Sequence, residues 1–542
     1  MKKTTPENES QILQRIADAG GLNRGVAGEV ARATGVPAAD VYGAGSFYHL
    51  LAHPETRIRI CQGLSCYLAG ARTRLQEARA AGLPAEGCSC LAECDRPVAI
   101  LNGRGIVAGI DAGAIAAQGG DWAAILDAGV TNAGVTEVPA CALGTDSGDR
   151  LAEGSADDQL AVNLPGACDF SGAAFARAVH MGPDAVVEAL ERSGLQGRGG
   201  AGFPAGRKWR ALLGQPVTTR YVVLNADEGE PGTFKDRDVL LLRPDLVVEG
   251  LAIAAAMTGA ADVYCYLRGE FARPRRALTD AIDRFVGSAM FPNIRFHIHD
   301  GHGAYICGEE TAMLEAIEGK RGMPRLKPPF PTEQGLWGKP TLIHNVETIA
   351  CVPAIVCRGG DWFRDLGRTG PGTKLYCISG HVRTPGTYEL PLGVTLDELV
   401  AAAGGYEGDL LAFSPGGASS GFLPASERDR PLDWPSLNEA GSSLGSAGVV
   451  VLNDTVDITR AVRQTLRFFE VESCGQCAPC RTGTRFVRDA LDRFIETGRP
   501  DALARVEDAA WEMTEGSICG LGYSAAIPLL NAMKHFPEAF AG

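Results

Sequence analysis

The chain has 542 residues, is 45% hydrophobic and carries a formal net charge of −14. At about 150 residues per domain this is room for three or four domains with ample core. The acidic balance argues against nucleic acid as a partner, and it means that an anionic cofactor must be drawn in by local arginine, lysine and amide groups.

The opening MKKTTPENESQ has two lysines but no apolar stretch, so it is not expected to be a secretory signal. Residues 11 to 51 read as short helices, with Ile12, Leu13 and Ile16 on one apolar face and Val26, Val30 and Ala33 on another. Pro37 ends the second helix, and Val41 to Leu51 resumes. A strand, Ile58 to Ile60, delivers Cys61, and Cys66 follows after a gap of four residues. A helix then runs through Leu75, and GCSCLAECDRPVAIL supplies Cys88, Cys90 and Cys94 before a strand at Val98 to Leu101. Two cysteine pairs at strand ends can converge on one site, and four thiolates hold zinc or an iron–sulfur cluster. Gaps of four and three residues favour a two-iron cluster of Cys61, Cys66, Cys90 and Cys94, with zinc or plain core cysteines as the alternatives. Residues 111 to 165 hold no strong pattern, and Asp146 to Asp158, rich in Gly, Ser and Asp, reads as a linker.

GRGGAGFPAGRKW, from Gly197 to Trp209, is dense in glycine and positive charge. Glycine lets a backbone approach a ligand closely, and successive free N–H groups make an anion nest. Arg198, Arg207 and Lys208 add fixed charge. Gly197, Gly199 and Gly202 spell G-x-G-x-x-G, but Asp184 to Leu195 before them reads as an amphipathic helix, whereas a dinucleotide fingerprint follows a strand. The alternatives are a tight helix-to-strand connection and a nucleotide or flavin loop. NADEGEPG, Asn225 to Gly232, follows a strand-like run and presents Asn225, Asp227, Glu228 and Glu230. A phosphate-friendly loop beside acidic groups suits a bulky ligand with a phosphate end and a polar ring or sugar end.

From Ala176 to Gly301 helices and strands alternate, with strands expected at 220–225, 262–267 and 294–298 and helices at 239–258 and 273–286. The best membrane candidate, Leu251 to Leu267, is short and carries Gly259 and Asp262, so it reads as a buried helix running into a strand. GHGAYICGEETAMLEAIEG then leads by a glycine turn into a helix beginning near Gly308, with Glu309 and Glu310 in its first turn. Helix capping alone would account for both glutamates. RLKPPFP, with Lys327 and Phe330, reads as a rigid loop, and LIHNVETI follows. Residues 373 to 452 read as a small α+β domain with strand-like LYCISGHV, GTYELPLG and SAGVVVLN and a helix at 395–403.

The last part reads as helical. ESCGQCAPCRTG presents Cys474, Cys477 and Cys480, and SICGLG supplies Cys519. Three cysteines at two-residue gaps each reach one corner of a cubane, and a distant fourth closes it; zinc is the alternative. Of the sixteen cysteines, Cys88, Cys141, Cys168, Cys265, Cys307, Cys351, Cys357 and Cys377 are scattered, and most of them read as buried small hydrophobes. With no secretory signal, this usage points to a cytoplasmic protein rather than a disulfide-bonded one.

GRGGAGFPAGRKW, NADEGEPGTFKDRD, GAYICGEET, RLKPPFP, NVET, ESCGQCAPCRTG and SICGLG occur in the order found in one family. Residues 165 to 542 closely resemble the NADH-binding flavoprotein subunit of respiratory complex I and its soluble relatives. Residues 11 to 120, through their two cysteine pairs and SFYHLL, resemble the thioredoxin-like two-iron subunit that pairs with that flavoprotein. The fused arrangement resembles soluble NAD-dependent formate dehydrogenase beta subunits and the diaphorase subunits of NAD-reducing hydrogenases.

The resemblance implies a multidomain α/β chain. Its parts are a helical and thioredoxin-like 2Fe-2S domain at 1–125, a linker at 126–165, a Rossmann-like FMN/NADH domain at 166–370, a ubiquitin-like SLBB domain at 371–453 and a helical 4Fe-4S domain at 454–542. It implies that Gly197, Arg198, Gly199, Lys208, Asn225, Asp227, Glu228, Tyr305, Gly308, Glu309, Glu310 and Asn345 hold FMN. Phe203, Glu230, Glu310, Lys327 and Phe330 would shape the NADH site, with Glu230 and Glu310 in the catalytic places. Where the family has two asparagines before Val-Glu-Thr, this chain has His344 and Asn345, and where some members stack a second aromatic on adenine it has Ala211.

The expected activity is NADH dehydrogenase, or diaphorase, chemistry. A flavin must stand between nicotinamide and the clusters, because nicotinamide moves two electrons as hydride and a cluster takes one. The expected partner is a large iron–sulfur catalytic protein. A molybdenum or tungsten formate dehydrogenase alpha subunit comes first, a hydrogenase module second, and the rest of complex I third. No nucleic acid and no membrane insertion are expected. The rivals of another class are a flavin-less iron–sulfur scaffold and a zinc-bound interaction protein.

Overall fold

The computed structural model describes residues 10–131 apart from 104 and 119, residues 162 and 163, and residues 172–542 apart from 288–290 and 292. The linker-like stretch 146–158 lies outside the described residues, as do Cys141 and Cys168.

Short helices from Ile12 to Ala52 precede a four-stranded sheet of β1 (Ile58–Cys61), β2 (Ala85–Cys88), β3 (Ile100–Asn102) and β4 (Gly105–Val107), in the order β2-β1-β3-β4. The expected strand at Val98 begins two residues later, and β2 and β4 are additions. Each is short, and β2, AEGC, has no apolar alternation to betray it.

The second sheet is the frame of the flavin half. It holds β5 (Tyr221–Ala226), β6 (Asp262–Leu267), β7 (Arg295–Asp300) and β8 (Thr341–Asn345), all parallel, in the order β7-β6-β5-β8. The chain steps outward from β5 through β6 to β7, then returns to lay β8 on the other side of β5. Ligands of open parallel sheets bind at such a reversal, beyond the carboxyl ends of the strands. The helix expected over 239–258 is two helices, Lys235–Leu242 and Pro244–Thr258. Pro244 lacks an N–H to continue the first helix and instead opens the second. The second is buried almost throughout, including Leu251, Ile253 and Ala254, and it leads by Gly259 into β6, as read from Leu251 to Leu267.

The third sheet is mixed: β9 (Thr373–Gly380), β10 (Gly386–Pro391), β11 (Leu410–Ser414), β12 (Leu423–Pro424) and β13 (Gly448–Asn453), in the order β10-β9-β13-β11-β12, with a helix at Leu396–Ala402. Helices Ile458–Glu472, Ala478–Thr497 and Val506–Gly516 dominate the C-terminal part. No helix among the described residues is long and apolar enough to cross a membrane.

The N-terminal sheet is not an appendage beyond a linker. Cys90, Ala92 and Cys94 are buried in the same apolar core as Val222, Leu224 and Val248 of the flavin half. The Ser65 and Ser379 hydroxyls meet at 2.8 Å across the seam. Farther out, Tyr48 donates to the Lys320 carbonyl at 2.6 Å and Arg321 to the Gly43 carbonyl at 2.7 Å.

Candidate functional site

The reversal between β5 and β8 collects most of the residues expected to hold a cofactor. Asn225 lies near the end of β5 and Asn345 ends β8, and the two are register partners. Asn225 donates to the Gly308 carbonyl at 2.8 Å. Asn345 caps the helix that follows, accepting from Glu347 N at 3.0 Å, and donates to Asp236 at 2.5 Å.

The glycine loop joins helix Pro183–Ser193 to helix Ala205–Leu213 and is closed by Gly197 N donating to the Phe203 carbonyl at 2.8 Å. It is therefore a helix-to-helix turn and not a strand-to-helix fingerprint. Gly199 lies against Asn345, where an added Cβ would stand 3.2 Å from the Asn345 Cβ. Gly202, at φ +66°, leaves only 3.0 Å between such a Cβ and the Trp434 ring. Both positions press the loop against its neighbours and keep its backbone low over the strand ends. Lys208 projects from the helix and pairs with Glu310 at 2.8 Å. The Arg198 side chain is turned under the loop: it is fully buried, donates to the Pro371 carbonyl at 3.0 Å, and lies 5.8 Å from the Trp434 ring centre. Two of its guanidinium nitrogens, Nε and Nη1, have no hydrogen-bond partner among the described residues. Buried donors of this kind, beside a loop of close glycines, fit an anionic cofactor end.

The acidic loop divides its work. Asp227 is buried, its Oδ2 has no hydrogen-bond partner among the described residues, and burial pushes its carboxyl well above the usual carboxylate range. Glu228 accepts from Asp236 N at 2.8 Å and Arg237 N at 3.0 Å, and burial with the nearby Asp236 pushes it up to about 8. Glu230 faces a different element. It accepts from the Tyr305 hydroxyl at 2.5 Å and from Ser419 N and Oγ at 2.9 Å, and burial raises its carboxyl. Ser419 belongs to the SLBB-like part, where the sequence reading placed no site residue. Trp434, against Gly202, comes from the same part.

Glu309 caps helix Glu310–Ile317, accepting from Thr311 N and Ala312 N at 2.9 Å. Capping accounts for Glu309 but not for Glu310. Burial works against ionisation of Glu310, yet Lys208 and Lys327 hold it below the ordinary range. Lys327 Nζ reaches Glu309 at 2.7 Å and Glu310 at 3.3 Å. Phe203 and Phe330 are large aromatics left 49% and 51% exposed, free to meet a planar ring. His344 does not replace the missing asparagine at the strand ends. It is buried and accepts from Trp209 Nε1 at 2.8 Å, and burial pushes it down to about 3, so the ring is neutral. Ala211 is exposed on helix Ala205–Leu213.

The cysteines of the N-terminal set converge, and those of the C-terminal set lie near enough to influence one another electrostatically. Cys61 ends β1, Cys66 lies on helix Leu64–Leu68, and Cys90 and Cys94 follow β2; all four are buried. The Cys90 and Cys94 sulfurs are 3.4 Å apart, and the Cys61 thiol interacts with those of Cys66 and Cys90. Gly63 N and Ala92 N point at the Cys61 and Cys90 sulfurs at 3.4 and 3.3 Å. Four thiols with amides directed at sulfur fit a two-iron cluster. In the C-terminal set Cys477 and Cys519 each stand immediately before a helix, and burial pushes Cys519 up to about 11, with Cys474 and Cys480 adding to the shift. Cys480 is buried and the other three are half-buried, so this set lies closer to solvent.

No local sequence signal marks the residues that join the sites. Glu472 accepts from Tyr305 N at 3.0 Å and from the Ser89 hydroxyl. It thereby links the flavin wall, the two-iron loop and the segment that leads to Cys474. Arg237 lies inside NADEGEPGTFKDRD, but nothing in the order of residues shows that it reaches the Ala92 carbonyl, at 2.8 Å.

Residues 190–354 match the Nuo51 FMN-binding domain, 375–423 the SLBB domain, 460–542 the NADH-ubiquinone oxidoreductase-F iron-sulfur binding region, and 5–107 the thioredoxin-like [2Fe-2S] ferredoxin. The chain is 47% identical over 372 residues to the NADH-quinone oxidoreductase F 2 subunit of Rhizobium meliloti (strain 1021), covering 66% of this chain and 88% of the relative. It is 43% identical over 385 residues to the NADH-quinone oxidoreductase F subunit of Mycobacterium bovis (strain ATCC BAA-935 / AF2122/97), covering 68% and 86%. Among solved structures it is similar to a chain of the NAD+-reducing [NiFe]-hydrogenase in the air-oxidized state, with a TM-score of 0.85 and 32% identity, over 99% of this chain and 94% of that one. This chain belongs to the family of NADH-oxidising FMN and iron–sulfur electron-transfer subunits that includes the F subunits of NADH-quinone oxidoreductases, and it carries the two-iron domain in the same polypeptide.

Proposed function

We propose that this chain is the NAD(H)-linked electron-transfer subunit of a formate dehydrogenase in the cytoplasm, working with a large iron–sulfur alpha subunit that holds molybdenum or tungsten. The observation that carries the reading is the fusion: one chain bears the flavin domain, the C-terminal cysteine set and an N-terminal two-iron domain packed on the flavin wall. The NADH-quinone oxidoreductase relatives are matched over 66–68% of this chain, and the NAD+-reducing hydrogenase chain, though matched over 99%, shares 32% of residues. The first comparison supports a fused type over complex I, and the second supports a single polypeptide that bears both the flavin and the two-iron domains. The hydrogenase diaphorase stands second because that chain is matched along nearly the whole length of this one.

FMN, when bound, accepts hydride from NADH and passes electrons singly to the clusters. In this chain the strand-end residues Asn225, Asp227, Glu228 and Asn345 would hold it with Gly197, Arg198, Gly199, Lys208, Tyr305, Gly308, Glu309 and Glu310. Phe203 and Phe330 would sandwich or flank the nicotinamide nucleotide. Glu230 and Lys327 would fix its polar groups, and no side chain needs to act as acid or base. Co-purification of the native complex, followed by NAD+ reduction with formate or with hydrogen, tests the partner. Formate-dependent reduction with a large molybdenum or tungsten protein supports the proposal, whereas hydrogen-dependent reduction without a response to formate replaces it with the second reading.

A further inference from the structure

Two buried arginines of the flavin half reach the loop that carries Cys90 and Cys94, and they differ in how they are balanced. Arg237 donates to the Ala92 carbonyl, to Glu93 at 2.7 Å, to both oxygens of Asp95 at 2.9 Å, and to Asp238 at 2.8 Å. Three carboxylates surround one guanidinium, so it anchors the loop with no positive charge left over. Arg268 follows β6, and its one ion-pair partner among the described residues is Glu270, at 3.1 Å. Its remaining donors go to two carbonyls. Nη1 donates to Glu228, in the acidic loop of the flavin site, and Nη2 donates to Cys90 at 2.7 Å. A cleft is lined by both sides of this seam, with Cys90, Asp227, Arg268, Glu270 and Tyr305 on its wall.

We infer that Arg268 is a positioning residue for electron exchange: it sets the two-iron ligand loop against the flavin site and holds that cluster's reduction potential up. A cluster gains negative charge when it is reduced, and a fixed cation bonded to the peptide of one ligand favours the reduced form. The seam is buried, so solvent screens the charge little. The planar fork of arginine serves two carbonyls at fixed spacing, which a lysine ammonium on a flexible stem does not. Glu270 offsets part of the charge without touching the cysteine loop. This rests on Cys61, Cys66, Cys90 and Cys94 holding the two-iron cluster.

The test is a redox titration of the full-length, flavin-replete protein, followed by the electron paramagnetic resonance signal of each cluster. Arg268→Met should lower the reduced-to-oxidised ratio of the two-iron cluster about tenfold at a given potential, equal to about 59 mV for a one-electron couple. The four-iron signal should not move. Arg268→Lys should recover most of the shift, because the charge returns. Glu270→Gln should move the two-iron midpoint upward, and it decides alone if Arg268→Met loses the cluster. An unmoved two-iron midpoint in Glu270→Gln, or an equal fall in Arg268→Lys and Arg268→Met, would overturn the inference. Absence of any two-iron signal in the unmodified protein would instead refute the ligand assignment beneath it.

Discussion

Glu230 and His344 show how burial assigns different work to single residues. Glu230 is held by Tyr305 and Ser419, from two other elements, so its carboxylate is oriented before any nucleotide arrives. Glu230→Ala should weaken NADH use while flavin stays bound. A hydrogen bond to a charged group contributes about 1.5–3 kcal/mol, or roughly ten- to a hundredfold in KM or kcat/KM. Steady-state kinetics on flavin-replete variant checks this, and unchanged NADH kinetics would remove Glu230 from the site. His344 sits in a neutral pocket against Trp209, with its folded value about 3 and so below the ordinary value of 6.5. Its contribution to stability is therefore present above pH 6.5 and is lost as pH falls toward 3. His344→Asn should flatten the acid side of the unfolding profile by up to about 1.36 kcal/mol per pH unit in that window. A profile that keeps its slope in the variant would show that another group causes it.

At the scale of elements, what the sequence disclosed was what local order encodes. β5 and β6 were legible because Tyr221 to Leu224 and Asp262 to Leu267 are largely apolar or aromatic runs bounded by turns. Asn225, Asp227 and Lys208 were legible as site residues because they crowd into short polar stretches beside glycine. The unread elements had weak local signals: β2 is AEGC and β12 is two residues long. Ser419, Trp434 and Arg268 could not be read as site neighbours, since each meets the site only through contacts distant in sequence. The reversal between β5 and β8 is likewise a product of topology. The glycine loop above it makes a sharp test. Gly202→Ala places a side chain in the left-handed region and against Trp434, so it should cost about 1–2 kcal/mol in backbone strain. A lowered thermal midpoint and faster loss of flavin on dilution are expected, and a variant equal to the parent in both would show that the loop can yield.

For the whole molecule, the two cysteine sets occupy unlike settings. The N-terminal set is buried against the flavin wall, while three members of the C-terminal set are half-buried. On the proposed reading the C-terminal cluster would pass electrons to a partner, and the N-terminal one would exchange them with the flavin. Cys477→Ala should abolish transfer to the partner yet spare NADH oxidation by a small acceptor that reaches the flavin. Cys66→Ala should leave much of the full reaction and chiefly raise electron leakage to oxygen. Both comparisons need folded, flavin-replete protein, because loss of a thiolate ligand can itself unfold a domain. Equal loss of the full reaction in the two variants would put the N-terminal cluster on the main path.

One polypeptide, on this reading, carries electrons from NADH through FMN to two different clusters. An anaerobic titration of the isolated chain with NADH, followed by absorption and electron paramagnetic resonance, puts that to the test in one experiment. The expected result is release of FMN and not FAD on denaturation, bleaching of the flavin by NADH, and two distinguishable reduced-cluster signals. Flavin-free protein from a freshly isolated complex, or flavin-replete protein in which NADH leaves both clusters oxidised, would contradict it.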